Sequence, residues 1–190
     1  MVDFQNDIEQ SLEVLRSGGI ILYPTDTVWG IGCDATNPNA VAKIYQLKKR
    51  KDEKAMILLV ADEKDILHYT AAADLKVFDY LQQVNKPTTV IYEDALGLAA
   101  NLIANDGSVA IRICKEDFCR QLIKRFRKPI VSTSANISGE PFPENFSSIS
   151  HAIRDGVDYT VQYRQSDTTV TEPSAIIKWN KNSAPIIIRK

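Results

Sequence analysis

The chain has 190 residues, of which 44% are hydrophobic and 25% are charged, and its formal net charge at pH 7 is −1. This length fits one domain with its own core, and the near-neutral charge argues against a protein whose whole surface attracts nucleic acid. The sequence has neither a run of 18 apolar residues nor a basic N-terminal segment followed by an apolar one, so we expect one cytosolic domain over residues 1–190.

Apolar residues at helical spacing predict five helices. The first ends at Gly18-Gly19, the second begins with Asn37 as N-cap and Pro38 in its first turn, and the third is capped by Asp74. The predicted buried faces are Ile8, Leu12 and Leu15 in the first helix, Ala40, Val41, Ile44 and Leu47 in the second, Val77, Phe78, Leu81 and Val84 in the third, and Phe118, Leu122, Ile123 and Phe126 in the fourth. The fifth helix is predicted over 147–154.

Short apolar segments between these helices predict strands. The predicted strands are 20–23, 56–60, 88–92, 108–113, 130–133, 159–163, 175–179 and 186–189, the last two joined by a turn at 180–183. The run 56–60 is continuously apolar, as in a strand buried on both faces. Because helices and strands alternate over the first two thirds and strands dominate the rest, we predict an α/β fold with a twisted, open, mixed parallel and antiparallel sheet flanked by helices.

Two polar segments in the first third of the chain are candidates for binding. Residues 23–32 follow the first strand, and their hydroxyls, carboxylate and glycines suit a small polar ligand, although the same residue types form ordinary turns. Residues 48–51 are basic and either complement the dipole of the preceding helix or bind a polyanion. Lys48 and Arg50 could converge on phosphates only if that helix ends near Leu47.

Two further candidates lie at predicted strands. Strand alternation places Arg112 on the face of Ala110, where it is either a solvent-facing or edge residue or a fork for a carboxylate. Residues 132–139 follow a strand with hydroxyls and backbone N–H groups that suit phosphate and carboxylate oxygens. The irregular stretch 134–145 is long enough to be a functional loop.

Cysteine and histidine are sparse. Cys33, Cys114 and Cys119 form no Cys-x-x-Cys pair and no even-numbered framework, so we expect free thiols, although Cys114 and Cys119 could form a disulfide. His68 and His151 lie far apart in the sequence and outside any metal-binding pattern, so no protein-ligated metal is predicted.

Taken in order, these segments resemble the YrdC-like family, the threonylcarbamoyl-AMP synthases. The resemblance covers nearly the whole chain and rests on Gly18-Gly19 with Tyr23-Pro24-Thr25-Asp26-Thr27, Lys48-x-Arg50, Pro87-x-Thr89, Ser108-x-Ala110-x-Arg112, Ser132–Gly139, Pro173-Ser174 and Arg189. It implies a YrdC-like α/β fold in a minimal single-domain form, with a positively charged concave cleft. It also implies synthesis of threonylcarbamoyl-AMP and pyrophosphate from L-threonine, bicarbonate and ATP, for a separate complex that modifies a tRNA adenosine next to the anticodon.

The resemblance assigns roles by matching position. The catalytic residues would be Lys48 and Arg50; the ATP site would be Arg50, Lys54, Ser108, Ser134, Asn136 and Arg189; and the threonine site would be Thr27, Arg112, Ser132 and Ser174. Mg²⁺ would arrive with ATP, held by phosphate oxygens and water. Because the chemistry needs charge neutralisation and alignment more than a strong base, we expect Arg50→Ala and Arg112→Ala to cripple turnover. Neither arginine resembles a core residue, so we expect both variants to stay folded.

Two other functions remain open. One is a double-stranded RNA-binding module, for which Lys48–Lys51 and Arg125–Lys128 are the evidence, although no RNA-recognition signature is present. The other is a relative of the same fold that has lost synthase activity or transfers carbamoyl groups. The intact Ser134-Ala135-Asn136 run argues against that loss.

Overall fold

The computed structural model describes residues 4–50, 56–179 and 185–190. The strands are β1 (Ile21–Tyr23), β2 (Gly30–Gly32), β3 (Ile57–Val60), β4 (Thr88–Tyr92), β5 (Val109–Ile113), β6 (Ile130–Ser134), β7 (Tyr159–Thr160), β8 (Ala175–Lys178) and β9 (Ile186–Arg189). The α-helices are α1 (Gln5–Arg16), α2 (Pro38–Leu47), α3 (Glu63–Ile66), α4 (Lys76–Gln83), α5 (Asp117–Phe126) and α6 (His151–Arg154), and 3-10 helices lie at Ala100–Leu102 and Phe146–Ser148.

The strands form one nine-stranded sheet in the order β7-β1-β2-β6-β3-β5-β4-β8-β9. β7 is parallel to β1, β3 to β5 and β4 to β8, whereas the other neighbouring pairs are antiparallel. The predicted mixed sheet flanked by helices is therefore confirmed. The strand predicted at 56–60 lies in the middle of this sheet, which explains why it is apolar on both faces.

Strand alternation divides the core between the two faces of the sheet. On β3, Leu58 packs into the cluster that includes α2 and α4, and Leu59 packs into the cluster formed with α1 and α5. The second cluster reaches only part of its face. The remainder of that face is open and forms the floor of a cleft.

Local capping explains where α2 begins and ends. The predicted N-cap is confirmed, because Asn37 Oδ1 accepts hydrogen bonds from the backbone N–H groups of Asn39 at 3.0 Å and Ala40 at 3.2 Å. The helix ends at Leu47, and Lys49 then adopts a left-handed backbone with φ of 50°. The condition for Lys48 and Arg50 to leave the helix face is therefore met.

Three predicted elements are wrong in extent. The helix over 147–154 is divided, because extended backbone at Ile149 and Ser150 buries Ile149 and separates the 3-10 helix from α6. Val84 lies beyond α4 in extended conformation. β7 stops at Thr160 rather than 163, because the backbone N–H groups of Gln162 and Tyr163 donate to the Asp7 carboxylate instead of to a strand.

The remaining predictions about the chain concern its thiols, its last turn and membranes. All three cysteines are free and buried, which confirms the expectation of free thiols. The turn predicted at 180–183 lies outside the described residues. Within the described ranges, none of the helices has the length and apolar character needed to span a bilayer.

Candidate active site

A cleft of about 270 Å³ lies on the part of the sheet that α1 and α5 leave uncovered. Its floor contains Gly30 of β2, Ile57 of β3, Arg112 of β5 and Ser132 and Ser134 of β6. Its walls are lined by Thr27, Val28, Arg50, Phe142, Pro173, Ser174, Ile176 and Arg189, among others. The four polar segments singled out in the sequence thus meet around one concavity, although they are up to about 100 residues apart along the chain.

Arg112 is buried in this floor, with 3% of its surface exposed. Because β5 lies between β3 and β4, the interpretation of Arg112 as a solvent-facing or edge residue is wrong. Its Nη1 lies 2.8 Å from Asp26 Oδ1 and donates to Thr27 Oγ1 at 3.0 Å. Its Nε is buried and has no hydrogen-bond partner among the described residues.

This pattern of contacts leaves one edge of the Arg112 guanidinium available. Nε and Nη2 share the edge that can grip a carboxylate through two parallel hydrogen bonds, whereas Nη1 is already engaged by its ion pair with Asp26 and its hydrogen bond to Thr27. A buried donor without a partner costs about 1–3 kcal/mol. The unpaired Nε therefore indicates a position where a bound ligand supplies the acceptor.

The segment after β1 orients Thr27 towards Arg112. Thr25 Oγ1 donates to Val28 O at 2.8 Å and accepts from the Thr27 backbone N–H at 3.0 Å. Because the Thr25 hydroxyl proton is already used, the 3.0 Å contact between the two threonine hydroxyls must be donated by Thr27. Thr27 Oγ1 therefore gives its proton to Thr25 and presents a lone pair to Arg112.

Lys48 and Arg50 diverge after α2. Arg50 lines the cleft and donates from Nη1 to Thr133 Oγ1 at 3.3 Å. Lys48 is 2% exposed, and its Nζ donates to Ser134 O, to Asn136 O at 2.5 Å and to Asn136 Oδ1 at 3.3 Å. An ammonium group has three hydrogens, so in this geometry Lys48 holds residues 134–136 and has none left for a phosphate.

The environment of these two cations is partly desolvated. Burial and, after it, the positive charge of Arg50 lower the pKa of Lys48 to about 8. Burial also lowers the pKa of Arg50. Both groups therefore gain from a nearby anion, which would offset the cost of their burial.

The other residues assigned to ATP are not all in the cleft. Ser134 lines it, and its hydroxyl donates to Asn136 Oδ1 at 2.5 Å. Asn136 in turn donates to Glu140 O at 2.6 Å, so its side chain organises the loop. Ser108 precedes β5 and is absent from the cleft lining, and Lys54 lies outside the described residues.

A β-bulge brings Arg189 into the cleft. Ile177 pairs with Ile187 and Ile176 pairs with Arg189, so β9 has one extra residue, Ile188, between these pairs. The bulge places Arg189 on the face of Ile176, which lines the cleft. There Arg189 donates to Ser174 O from Nε at 3.0 Å and from Nη2 at 2.8 Å.

Ser174 and Ser132 complete the predicted threonine site. Ser174 is buried, and its hydroxyl shares a 2.8 Å hydrogen bond with that of Thr89. Ser132 Oγ would lie 3.1 Å from a Cβ atom added at Gly30, so the glycine keeps the floor open beside this hydroxyl. Thr27, Arg112, Ser132 and Ser174 all line the same cleft.

The cleft is locally cationic although the chain is not. Among the described residues that line it, Arg50, Arg112 and Arg189 are charged, and no carboxylate is present. Asp26 contacts Arg112 from outside this lining. A concave surface with three guanidinium groups concentrates anionic ligands.

Sequence reasoning missed Asp26, Thr25 and Thr89 as parts of this site. Asp26 was counted among the polar groups of residues 23–32 and in the family motif but was given no role, and its partner Arg112 lies 86 residues later in the chain. No local spacing reveals such a pair. The available signals were its place in the family motif and in the segment after β1, where ligand-binding loops of open sheets are found.

Of the two basic groups considered for RNA binding, Arg125–Lys128 lies elsewhere, whereas Arg50 of the other group lines the cleft. Arg125, Arg127 and Lys128 are exposed around the end of α5 and do not line the cleft. Lys128 forms a 2.6 Å ion pair with Asp34, and Arg125 donates to Gln5 Oε1. Lys51 lies outside the described residues. The ion pair with Asp34 offsets the charge of Lys128, whereas the hydrogen bond to the neutral Gln5 leaves the charge of Arg125 in place.

Comparison with known proteins finds one matching family model, relatives that share one name and a solved structure with the same fold. Residues 13–190 match the family model Sua5/YciO/YrdC, described as "Telomere recombination". The chain is 33% identical over 162 residues to "Threonylcarbamoyl-AMP synthase" of Idiomarina loihiensis, covering 84% of this chain and 86% of that protein. It is 34% identical over 139 residues to the protein of the same name in Vibrio campbellii, covering 71% and 75%. The solved structure of P. abyssi Sua5 complexed with L-threonine superposes with a TM-score of 0.86 at 20% identity; this chain is covered completely and spans 55% of that one.

Proposed function

The chain belongs to the Sua5/YciO/YrdC family, and from that premise and the chemistry of its cleft we propose that it is an L-threonylcarbamoyladenylate synthase. In this reaction L-threonine, bicarbonate and ATP give threonylcarbamoyl-AMP, pyrophosphate and water, so the enzyme would be a nucleotidyltransferase. We further propose that the product serves threonylcarbamoylation of a tRNA adenosine by a separate complex. A cytosolic location stays a prediction.

One observation carries the proposal: the buried Arg112 lines the floor of the cleft, and the Nε–H of its guanidinium has no hydrogen-bond partner among the described residues. A substrate with a carboxylate supplies the acceptor that this donor lacks. Thr27, Ser132 and Ser174 surround the same space with hydroxyl groups, which suit an amino acid that carries its own hydroxyl. An α-amino acid such as threonine therefore fits the polar groups better than an apolar ligand does.

The nucleotide would occupy the more open side of the cleft. Pockets for drug-sized ligands commonly span about 300–1,000 Å³, so a cleft of about 270 Å³ accommodates the amino acid and only part of ATP. Arg50 and Arg189 line the cleft and would neutralise the phosphates. Ser134 would donate to a phosphate only by giving up its hydrogen bond to Asn136 Oδ1. Lys48 would act through the loop that it holds, rather than by contact with phosphate.

The reaction needs positioned charge rather than a strong base. Bicarbonate would supply carbon dioxide to the neutral threonine amine, and the hydroxide left behind would take the amine proton as water, which gives a carbamate. A carbamate oxygen would then attack the α-phosphorus of ATP as pyrophosphate leaves. Guanidinium groups fixed on the sheet would align the two anions and stabilise the charge of the transition state. No group of three or more His, Cys, Asp or Glu able to hold a metal is found in the described parts of the chain, so Mg²⁺ would enter as the substrate complex with ATP.

The experiment that tests this proposal measures pyrophosphate release by the purified chain from ATP, with L-threonine and bicarbonate omitted in turn. Release that requires both substrates, together with threonylcarbamoyl-AMP detected by mass spectrometry, is the expected result. Release without threonine would indicate another nucleotide hydrolysis. No release, with salt-dependent binding of double-stranded RNA, would favour the RNA-binding alternative.

A further inference from the structure

Asp26 contacts Arg112 without being one of the residues that line the cleft. Its carboxylate is 12% exposed; Oδ1 is 2.8 Å from Arg112 Nη1, and the Cys114 thiol donates to the same oxygen at 3.4 Å. Oδ2 accepts a hydrogen bond from the Lys115 backbone N–H at 3.2 Å. The carboxylate is therefore fixed by groups at the end of β5, the strand that carries Arg112, and it does not line the cleft.

The contact with Asp26 determines which edge of the guanidinium faces the ligand. With Nη1 held by Asp26 and Thr27, the free edge is the one that contains Nε and Nη2. If Nη1 were released, rotation about the side chain could present a different edge or withdraw the group from the floor. A bidentate interaction needs both donors in the plane of the carboxylate, so this orientation controls its strength.

We propose that Asp26 is a positioning residue that, with Thr27, fixes Arg112 so that its Nε–Nη2 edge grips the carboxylate of the amino-acid substrate. This inference rests on the proposed function, because it assigns the ligand of Arg112 as an amino acid. It adds a residue that acts through another side chain and does not touch the substrate.

Asp26 could instead serve only as a counter-charge that makes burial of Arg112 tolerable. The two roles predict opposite changes when Asp26 is replaced by Asn. Without the negative charge, an Arg112 that kept its position would attract a carboxylate more strongly, and the KM for threonine would fall or stay the same. If Asp26 positions Arg112, the KM for threonine rises despite the added positive charge.

Asp34→Asn is a matched control. The Asp34 side chain is 7% exposed, forms an ion pair with Lys128 at 2.6 Å and accepts from the Thr36 backbone N–H, yet it lies outside the cleft lining. The control therefore loses a similarly buried carboxylate charge and leaves the contacts of Arg112 unchanged. Any general effect of removing such a charge would appear in both variants.

The test measures KM for threonine and for ATP in the wild-type chain, Asp26→Asn and Asp34→Asn by pyrophosphate release. We expect Asp26→Asn to raise the KM for threonine roughly ten- to a hundredfold, the scale of losing alignment at a reacting site, and to change the KM for ATP less than threefold. Asp34→Asn should match the wild type in both. An unchanged or lower KM for threonine in Asp26→Asn would overturn the proposal, as would an equal rise for both substrates.

A second variant protects the test against misfolding. If Asp26→Asn fails to fold, Asp26→Glu keeps the charge but moves the oxygens, and it should raise the KM for threonine while remaining folded; a wild-type KM would contradict positioning by Asp26. Failure of the proposed function is recognised separately, because the wild-type chain would then show no threonine-dependent release at all.

Discussion

The cost of burying a guanidinium group depends on whether an opposite charge lies beside it, and Arg112 is buried beside the carboxylate of Asp26. The sequence-based expectation was that Arg112→Ala would leave the fold intact, but Arg112 is buried and its removal leaves Asp26 without its cation. Breaking such a pair by removing one partner costs about 3–5 kcal/mol. We therefore expect a clear decrease in the free energy of unfolding of Arg112→Ala in urea, in addition to lost turnover.

The matched control is Arg120→Ala. Arg120 and Asp62 form an ion pair of 3.4 Å whose side chains are 40% and 48% exposed, and exposed pairs contribute about 0–1 kcal/mol. Equal urea midpoints for the two variants would contradict the view that Arg112 is a buried member of an ion pair.

Lys48 gives a prediction about pH. Its pKa in the folded chain is about 8, below the ordinary value of 10.5, so between these pH values the unfolded state binds more protons than the folded state. The contribution of this group to the free energy of unfolding therefore rises with pH across that window, by about 1.4 kcal/mol per unit of difference in pKa at most. Lys48→Met keeps the length of the side chain and removes the titration.

The quantity to measure is the difference in unfolding free energy between the wild-type chain and Lys48→Met at pH 7.5 and at pH 9.5. Other titrating groups contribute equally to both chains and cancel. We expect the wild-type chain to gain stability relative to the variant at the higher pH, and a difference that does not change with pH would contradict the lowered pKa.

At the residue scale, the sequence identified which residues line the cleft better than it identified what each side chain contacts. The motifs identified Thr27, Arg112, Ser132 and Ser174, and all four line one cleft. They did not separate Lys48 from Arg50, because the direction of each side chain depends on the left-handed backbone of Lys49 and on carbonyl groups almost 90 residues away. Tertiary acceptors decide what a lysine holds, and they leave no local pattern.

At the element scale, β2 contains two glycines, and a side chain added at each of them would meet different neighbours. A Cβ at Gly32 would meet the backbone carbonyl of Val131 at 2.6 Å and the ring of Tyr23 at 2.7 Å, whereas one at Gly30 would meet only Ser132 Oγ closely, at 3.1 Å. Overpacking costs about 1–3 kcal/mol where neighbours cannot move. We expect Gly32→Ala to lower the urea midpoint and Gly30→Ala to leave it nearly unchanged.

Gly30→Ala should instead affect binding. Its methyl group would enter the cleft floor beside Ser132 and narrow the space assigned to threonine, so the KM for threonine should rise in pyrophosphate release. Gly32→Ala serves as the comparison from the same strand. The assignment fails if Gly30→Ala is the less stable of the two, or if it binds threonine like the wild-type chain.

Most elements could be predicted because each carries its own local signal. Asn37-Pro38 marks the start of α2, and the continuous apolar run of β3 marks a central strand. Features set by distant contacts could not be predicted. The Asp7 carboxylate ends β7 from 155 residues away, and the bulge at Ile188 that directs Arg189 into the cleft depends on the pairing with β8.

At the scale of the whole molecule, the two core clusters pack against opposite faces of the same β-sheet. Leu58 and Leu59 are consecutive on β3 and face opposite clusters, so loss of either cluster removes support from the sheet that the other packs against. Arg112, which lines the cleft, lies on β5 and pairs with Leu59 of β3, so the cleft is built on the same sheet. Unfolding should therefore be one cooperative event, consistent with the prediction of a single domain over residues 1–190.

Calorimetry tests this cooperativity, and threonine makes the test sharper. We expect one transition with equal calorimetric and van't Hoff enthalpies, and a shift of the entire transition when threonine is present. A ligand at a hundred times its Kd stabilises by about 2.7 kcal/mol, which for a domain of this size corresponds to a rise in Tm of roughly 5–11 °C. Two transitions, or a shift confined to part of one, would mean that the cleft and the rest of the sheet unfold separately. The conclusion that both core clusters depend on one sheet would then be wrong.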